Sequence, residues 1–120
     1  MELELIEARG ERYLEGAAGR ELLRSSGDTN DLIVACAESG AHRVLLYAEN
    51  MPASFFALSS REAGEILQKL RTYGIRCALV ASEERVGQGK FRAMVAEENR
   101  GPYFHVSPDR QSAEAWLIEH

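Results

Sequence analysis

Cysteine is scarce in this sequence: Cys36 and Cys77 lie far apart, each inside an apolar stretch, with no Cys-x-x-Cys spacing. That excludes a disulfide framework and reads as two reduced, buried thiols. The three histidines, His42, His105 and His120, are dispersed, so no metal-ligand spacing exists and no cofactor is implied. Long apolar runs are missing as well. The longest, Val44 to Ala48, is strand-sized and far short of the ~20 residues of a membrane span. The opening MELELIEARGER begins with carboxylates and lacks the basic-then-apolar order of a signal peptide, so a cytoplasmic location is expected. Basic clustering is absent too: 14 Lys and Arg are scattered among 19 Asp and Glu, with a net charge of -5. A nucleic-acid partner needs a concentrated basic surface and is therefore not expected.

What is present fits one soluble α/β domain spanning residues 1–120. Hydrophobic residues make up 45% and charged residues 28%, close to globular averages. A chain of this size buries roughly two-thirds of its unfolded surface, enough to fold without staples.

The first segment alternates, with Leu3, Leu5 and Glu7 on one side, as a half-buried strand does. Gly10 permits a turn, and Glu11 to Glu15 pairs back as a hairpin. Gly16 to Gly27 is a connector with room for a short strand near Leu22 and Leu23. Asp28 then caps a helix over Thr29 to Ser39 whose Leu32, Ile33, Cys36 and Ala37 form one stripe, and Gly40 stops it. Arg43 to Glu49 reads as a strand covered on both faces. Ser59 and Glu62 have capping-box spacing before a helix from about Ser60 to Tyr73, with Ala63, Ile66, Leu67, Leu70 and Tyr73 on its apolar face. Ile75 to Ala81 is another central strand, and a helix follows from about Gly89 to Asn99. A short strand over Tyr103 to Val106 leads to Ser107-Pro108-Asp109, which opens a last helix burying Ala113, Trp116 and Leu117. After the hairpin, strand and helix alternate three times, which predicts a layered unit on a mostly parallel, hence mixed, sheet.

The stretch FFALSSREAGEILQKLRTYGIRCALV, Phe55 to Val80, followed by EENRG, Glu97 to Gly101, resembles a bacterial domain family of unknown function, DUF 4180. The resemblance rests on Phe55, Phe56, Ala63, Gly64, Glu65, Ile66, Leu67, Gln68, Lys69, Tyr73, Asn99, Arg100 and Gly101. Asp28 to Leu32 is similar to the family's acidic helix start, so residues 28–118 are covered and the hairpin only in type. The family carries no established activity, and the resemblance implies relatives without implying a task. In its strand-helix order the chain also looks like the small STAS domains of sulfate transporters and anti-sigma-factor antagonists. There a Ser at a helix start is phosphorylated to switch partner binding. That likeness makes Ser54, Ser59 and Ser60 candidate phospho-acceptors, although the Asp-Ser-Ser-Gly run usual in those domains is missing.

Parallel sheets gather ligands outside the carboxyl ends of their strands, here Asn50 to Ser59, Ser82 to Gly89 and Ser107 to Asp109. Gly87-Gln88-Gly89-Lys90 departs from both phosphate-loop patterns and reads as a surface loop. No Gly-x-Ser-x-Gly elbow exists, His105 reads as a packed ring, and the pairs Glu83-Glu84 and Glu97-Glu98 read as solvated faces. No catalytic residue is assigned, and the reading leans away from an enzyme. Binding candidates are Phe55, Phe56, Gln68, Lys69, Asn99 and Arg100. The two Phe either anchor the next helix or form a sticky surface, which leaves a homodimer open. Asn99 is either a helix terminator or a recognition group. The leading expectation is a non-enzymatic regulatory or protein-interaction module using the Met51 to Ser60 loop and the adjoining helix. The alternative is a small-ligand binder or small enzyme in the strand-end crevice, anchored by Lys90, Asn99 and Arg100.

Overall fold

The computed structural model of the chain describes residues 1–57 and 61–119. Strands β1 (Leu3–Ala8) and β2 (Glu11–Gly16) form an antiparallel hairpin. Arg9 (φ 52°) and Gly10 (φ 81°) both take positive φ, the two-residue turn whose twist suits paired strands. β3 (Arg43–Tyr47), β4 (Arg76–Val80) and β5 (Phe104–Ser107) follow, each parallel to the strand before it. The sheet therefore runs β1-β2-β3-β4-β5 in chain order. This is the mixed, mostly parallel α/β sheet that the sequence predicts.

Because strand order never reverses, right-handed crossovers must place all the connecting helices on one face. The packing shows this. Leu32 and Cys36 of α1 (Thr29–Ser39), Ile66 and Leu70 of α2 (Glu62–Thr72) and Phe91 and Val95 of α4 (Lys90–Glu98) share one core with Val44, Leu46, Cys77 and Leu79 of the sheet. Among the described residues the opposite face carries only α5 (Arg110–Glu119), whose Ala113, Trp116 and Leu117 cover Tyr13, Leu45 and Ala78. An ordered sheet also has no switch point, the place where doubly wound folds open a ligand crevice.

Several local expectations need correction. On β1 only Leu3 of the predicted trio packs inward, while Leu5 is 43% exposed and Ile6 and Ala8 pack on the other face. An edge strand has neighbours on one side only, so alternation there is a weak guide. Leu22 and Leu23 form no strand; both amides donate to the Asn50 carbonyl, and Leu23 enters the core. Asp28 ends a 3-10 turn (Ser26–Asp28) with helical φ −68°, and its carboxylate turns back to the Arg24 amide instead of capping α1. Ala37 is exposed, and Thr29 completes the buried stripe with Leu32 and Cys36. Tyr73 lies past the end of α2 and is 61% exposed. The Ser59 half of the predicted capping box lies outside the described residues.

A short helix unseen in the sequence, α3 (Glu83–Val86), is capped by the Ser82 hydroxyl, which accepts from the Arg85 amide at 3.1 Å. The cap of α5 is Asp109, whose carboxylate accepts from the Ser112 amide at 2.8 Å. Ser107 belongs to β5 instead.

Candidate functional site

Because β2 to β5 run in the same direction, their carboxyl ends share one rim. Asn50 organises it. This fully buried side chain ends the 3-10 turn Ala48–Asn50 after β3. Its Oδ1 accepts from the Tyr47 amide at 2.7 Å, and its Nδ2 donates to the carbonyls of Ala17 and Arg20, each at 2.7 Å. The backbone carbonyl of Asn50 receives the amides of Leu22 and Leu23 at 3.0 and 2.8 Å. One residue thus satisfies the polar backbone of a connector that has no ladder of its own.

From that keystone the chain enters a second 3-10 turn, Ala53–Phe56, which presents the paired Phe. Phe55 is fully buried and meets the rings of Phe91 and Phe104 edge-on at 5.8 and 6.2 Å. Phe56 is half-buried at the rim, 5.4 Å from the Phe55 ring and 5.2 Å from Phe91. The Arg85 guanidinium of α3 lies 4.9 Å over its outer face. Such contacts add about 0.5–1.5 kcal/mol each and hold the ring rigid. Glu49, Phe56, Ser82, Glu84 and Arg85 line a hollow of about 560 Å³. Among the described residues Glu49 and Glu84 make no ion pair, whereas Glu83 is held by Arg92 at 2.5 Å and Glu98 by Arg71 at 2.9 Å.

A second polar group sits on the α5 face. The Arg110 guanidinium forks onto Glu15 at 2.8 and 3.1 Å and donates to the Tyr13 hydroxyl at 3.0 Å. Tyr47 donates to Glu15 at 2.5 Å, and Tyr13 donates to Glu114. The hydrogen bond from Arg110 holds the Glu15 carboxyl below its usual value, and burial pushes the Tyr47 phenol up to about 12. Every member is satisfied by another, so the cluster clamps the start of α5 to β2 and β3. At the far end Arg76 stacks 4.5 Å over Trp116 and donates to the Trp116 and Leu117 carbonyls at 3.3 and 3.1 Å, countering the negative end of the helix dipole. His105 stacks on the same indole at 5.1 Å and meets the Ser107 hydroxyl at 3.2 Å. The clamp was legible only as spacing: Tyr13 and Glu15 share a strand face, and Arg110 and Glu114 are four apart on a helix.

The six predicted binding residues do not converge. Phe55 is core and Phe56 is rim. Lys69 donates to the Ser26 carbonyl at 3.2 Å and to Asn30 at 3.5 Å, tying α2 to α1. Gln68 is exposed and touches Thr72 within its own helix. Asn99 brackets Val106, accepting from its amide at 2.9 Å and donating to its carbonyl at 3.3 Å, so it works as an extra rung for β5. Arg100 is exposed just past α4, away from the Phe56 hollow. Of the three serines, Ser54 is half-buried and has a contact of its own, while Ser59 and Ser60 lie outside the described residues.

The thiols sit deep in the first core, where burial raises Cys36 to about 11 and Cys77 higher still. Such thiols carry almost no thiolate at neutral pH. Among the described residues no group of three or more His, Cys, Asp or Glu side chains is placed to hold a metal ion. No described helix is long and apolar enough to cross a membrane.

No curated protein and no solved structure matches this chain. A family model does match, over residues 8–117, reaching from the end of β1 into α5. The chain belongs to the family described as Domain of unknown function (DUF4180).

Proposed function

We propose that this domain is a non-enzymatic, regulatory protein-interaction module of the bacterial cytoplasm, and that its contact surface is the rim around Phe56 with the adjoining first turn of α2. The observation that carries this reading is the half-buried Phe56 ring, fixed from behind by Phe55 and Phe91 and flanked by Arg85. Rigid aromatics beside Arg are the side chains that dominate binding energy at protein interfaces. Gly64 adds support. It lies in the exposed face of α2, with nothing among the described residues within 4 Å of where a Cβ would be. A helix glycine costs about 1 kcal/mol relative to Ala, and no contact among the described residues repays it. Close approach of a partner would.

The strand-helix order resembles STAS-type antagonist modules, which fits a regulatory role. Ser54 lies in the turn that carries both Phe, so phosphorylation there would add charge beside the contact surface. The second reading, a small-ligand site, has the cleft between α3, α4 and the end of β5, lined by Glu83, Arg92, Asn99 and Ser107. At about 240 Å³ it is below the ~300 Å³ of ordinary ligand pockets, and its Arg92 is occupied by Glu83.

The test is capture of partners from lysate of the source organism by wild type, Phe56→Ala and Gln68→Ala. A discrete protein retained by wild type and Gln68→Ala but lost with Phe56→Ala supports the reading. Identical capture by all three, or a metabolite that raises Tm in place of any protein, contradicts it.

A further inference from the structure

We infer that the occupant of the Phe56 hollow is a basic segment of another protein, one that sets a Lys or Arg beside an apolar side chain. This rests on the interaction reading above and specifies its partner. The hollow is amphipathic: Phe56 supplies the apolar wall, and Glu49 and Glu84 supply two exposed carboxylates to its lining.

Two other acidic side chains near the rim are already paired. Glu83 is taken by Arg92, and Glu15 by Arg110 and Tyr47. Glu49 and Glu84 have no ion-pair or hydrogen-bonding side-chain partner among the described residues. The cation within the hollow, Arg85, is turned over the Phe56 ring and has no carboxylate partner among the described residues. An incoming ammonium or guanidinium would meet Glu49 and Glu84 while its apolar neighbour covers the free part of Phe56. The net charge of -5 adds long-range attraction for a basic partner. A second copy of this chain is a poorer occupant, because two such hollows face to face would bring together four carboxylates and only two Arg85 guanidiniums, an excess of negative charge.

A random library of 12-residue peptides displayed on phage, panned on the full chain, tests this directly. Four baits are compared: wild type, Glu49→Gln/Glu84→Gln, Phe56→Ala, and Glu38→Gln/Glu97→Gln. The last removes the same charge from exposed positions on α1 and α4. Far-UV circular dichroism and Tm confirm that each bait is folded.

Expected is enrichment of peptides with Lys or Arg adjacent to an aliphatic or aromatic residue. A selected peptide should bind Glu49→Gln/Glu84→Gln at least tenfold more weakly than wild type, and Glu38→Gln/Glu97→Gln as wild type does. Acidic or neutral selected peptides, or equal weakening by both double variants, would overturn the basic-partner inference. If only Phe56→Ala loses binding, the interaction reading stands and the basic partner falls. If no peptide enriches, or none depends on any of these residues, both fall.

Discussion

A methyl group at Gly16 would lie 2.4 Å from Oδ1 of Asn50, the atom that already accepts the Tyr47 amide. The two residues are fitted to each other: β2 must end without a side chain for the Asn50 amide to reach the connector. Oδ1 is the tip of a side chain, but three hydrogen bonds fix it, so it cannot move aside cheaply. Asn50→Ala should lose about 3 kcal/mol by stranding buried backbone groups, and Gly16→Ala about 1–3 kcal/mol by overpacking. Urea unfolding monitored by Trp116 fluorescence reads both. Unchanged midpoints would mean the rim is not organised by this pair.

Gly64 should behave in the opposite way. With open space around it and a helical backbone, Gly64→Ala should raise stability by roughly 0.5–1 kcal/mol. If the same variant weakens partner capture, stability and contact are separated at one position. A loss of stability would remove Gly64 from the contact surface.

The clamp on α5 predicts a pH response with a definite sign. Glu15 is held below its ordinary value, so its contribution is present above the ordinary carboxylate pKa and is lost as pH falls through the lowered folded value. Tyr47 is raised to about 12, so its contribution is complete below 10 and fades as pH climbs toward 12. Glu15→Gln should be less stable than wild type at neutral pH and show a flatter acid limb in denaturant titrations. Parallel limbs for the two proteins would contradict the assignment.

The predicted binding residues divide by what they touch. Asn99→Ala should cost about 1–3 kcal/mol, because it strands the Val106 amide and carbonyl. Gln68→Ala and Arg100→Ala should stay within about 0.5 kcal/mol. Thermal unfolding of the three variants distinguishes a rung of the sheet from two surface groups.

Where burial sets the pattern, the sequence was readable. The continuous apolar run before Tyr47 and the three-and-four spacing of Ile66, Leu67 and Leu70 foretold a central strand and a one-sided helix, because both are dictated by what must be hidden from water. The C-terminal bound of α1 was legible for a different reason, the left-handed conformation that Gly40 adopts at φ 72°. Polar wiring was not. Asn50 reads as an ordinary turn residue until the connector it satisfies is folded against it, and Arg110 reads as a surface cation until β2 brings Glu15 to it. The Phe pair shows the limit most clearly: adjacent identical residues end up as core and rim, because a 3-10 turn points them in different directions.

The most direct measurement is a ¹⁵N-resolved NMR titration of the full chain with a library-selected basic peptide. Saturable shifts should be confined to Glu49, Phe56, Ser82 to Arg85 and the first turn of α2. Shifts centred instead on Tyr13, Glu15 and Arg110, or on the cleft between Arg92 and Ser107, would contradict it.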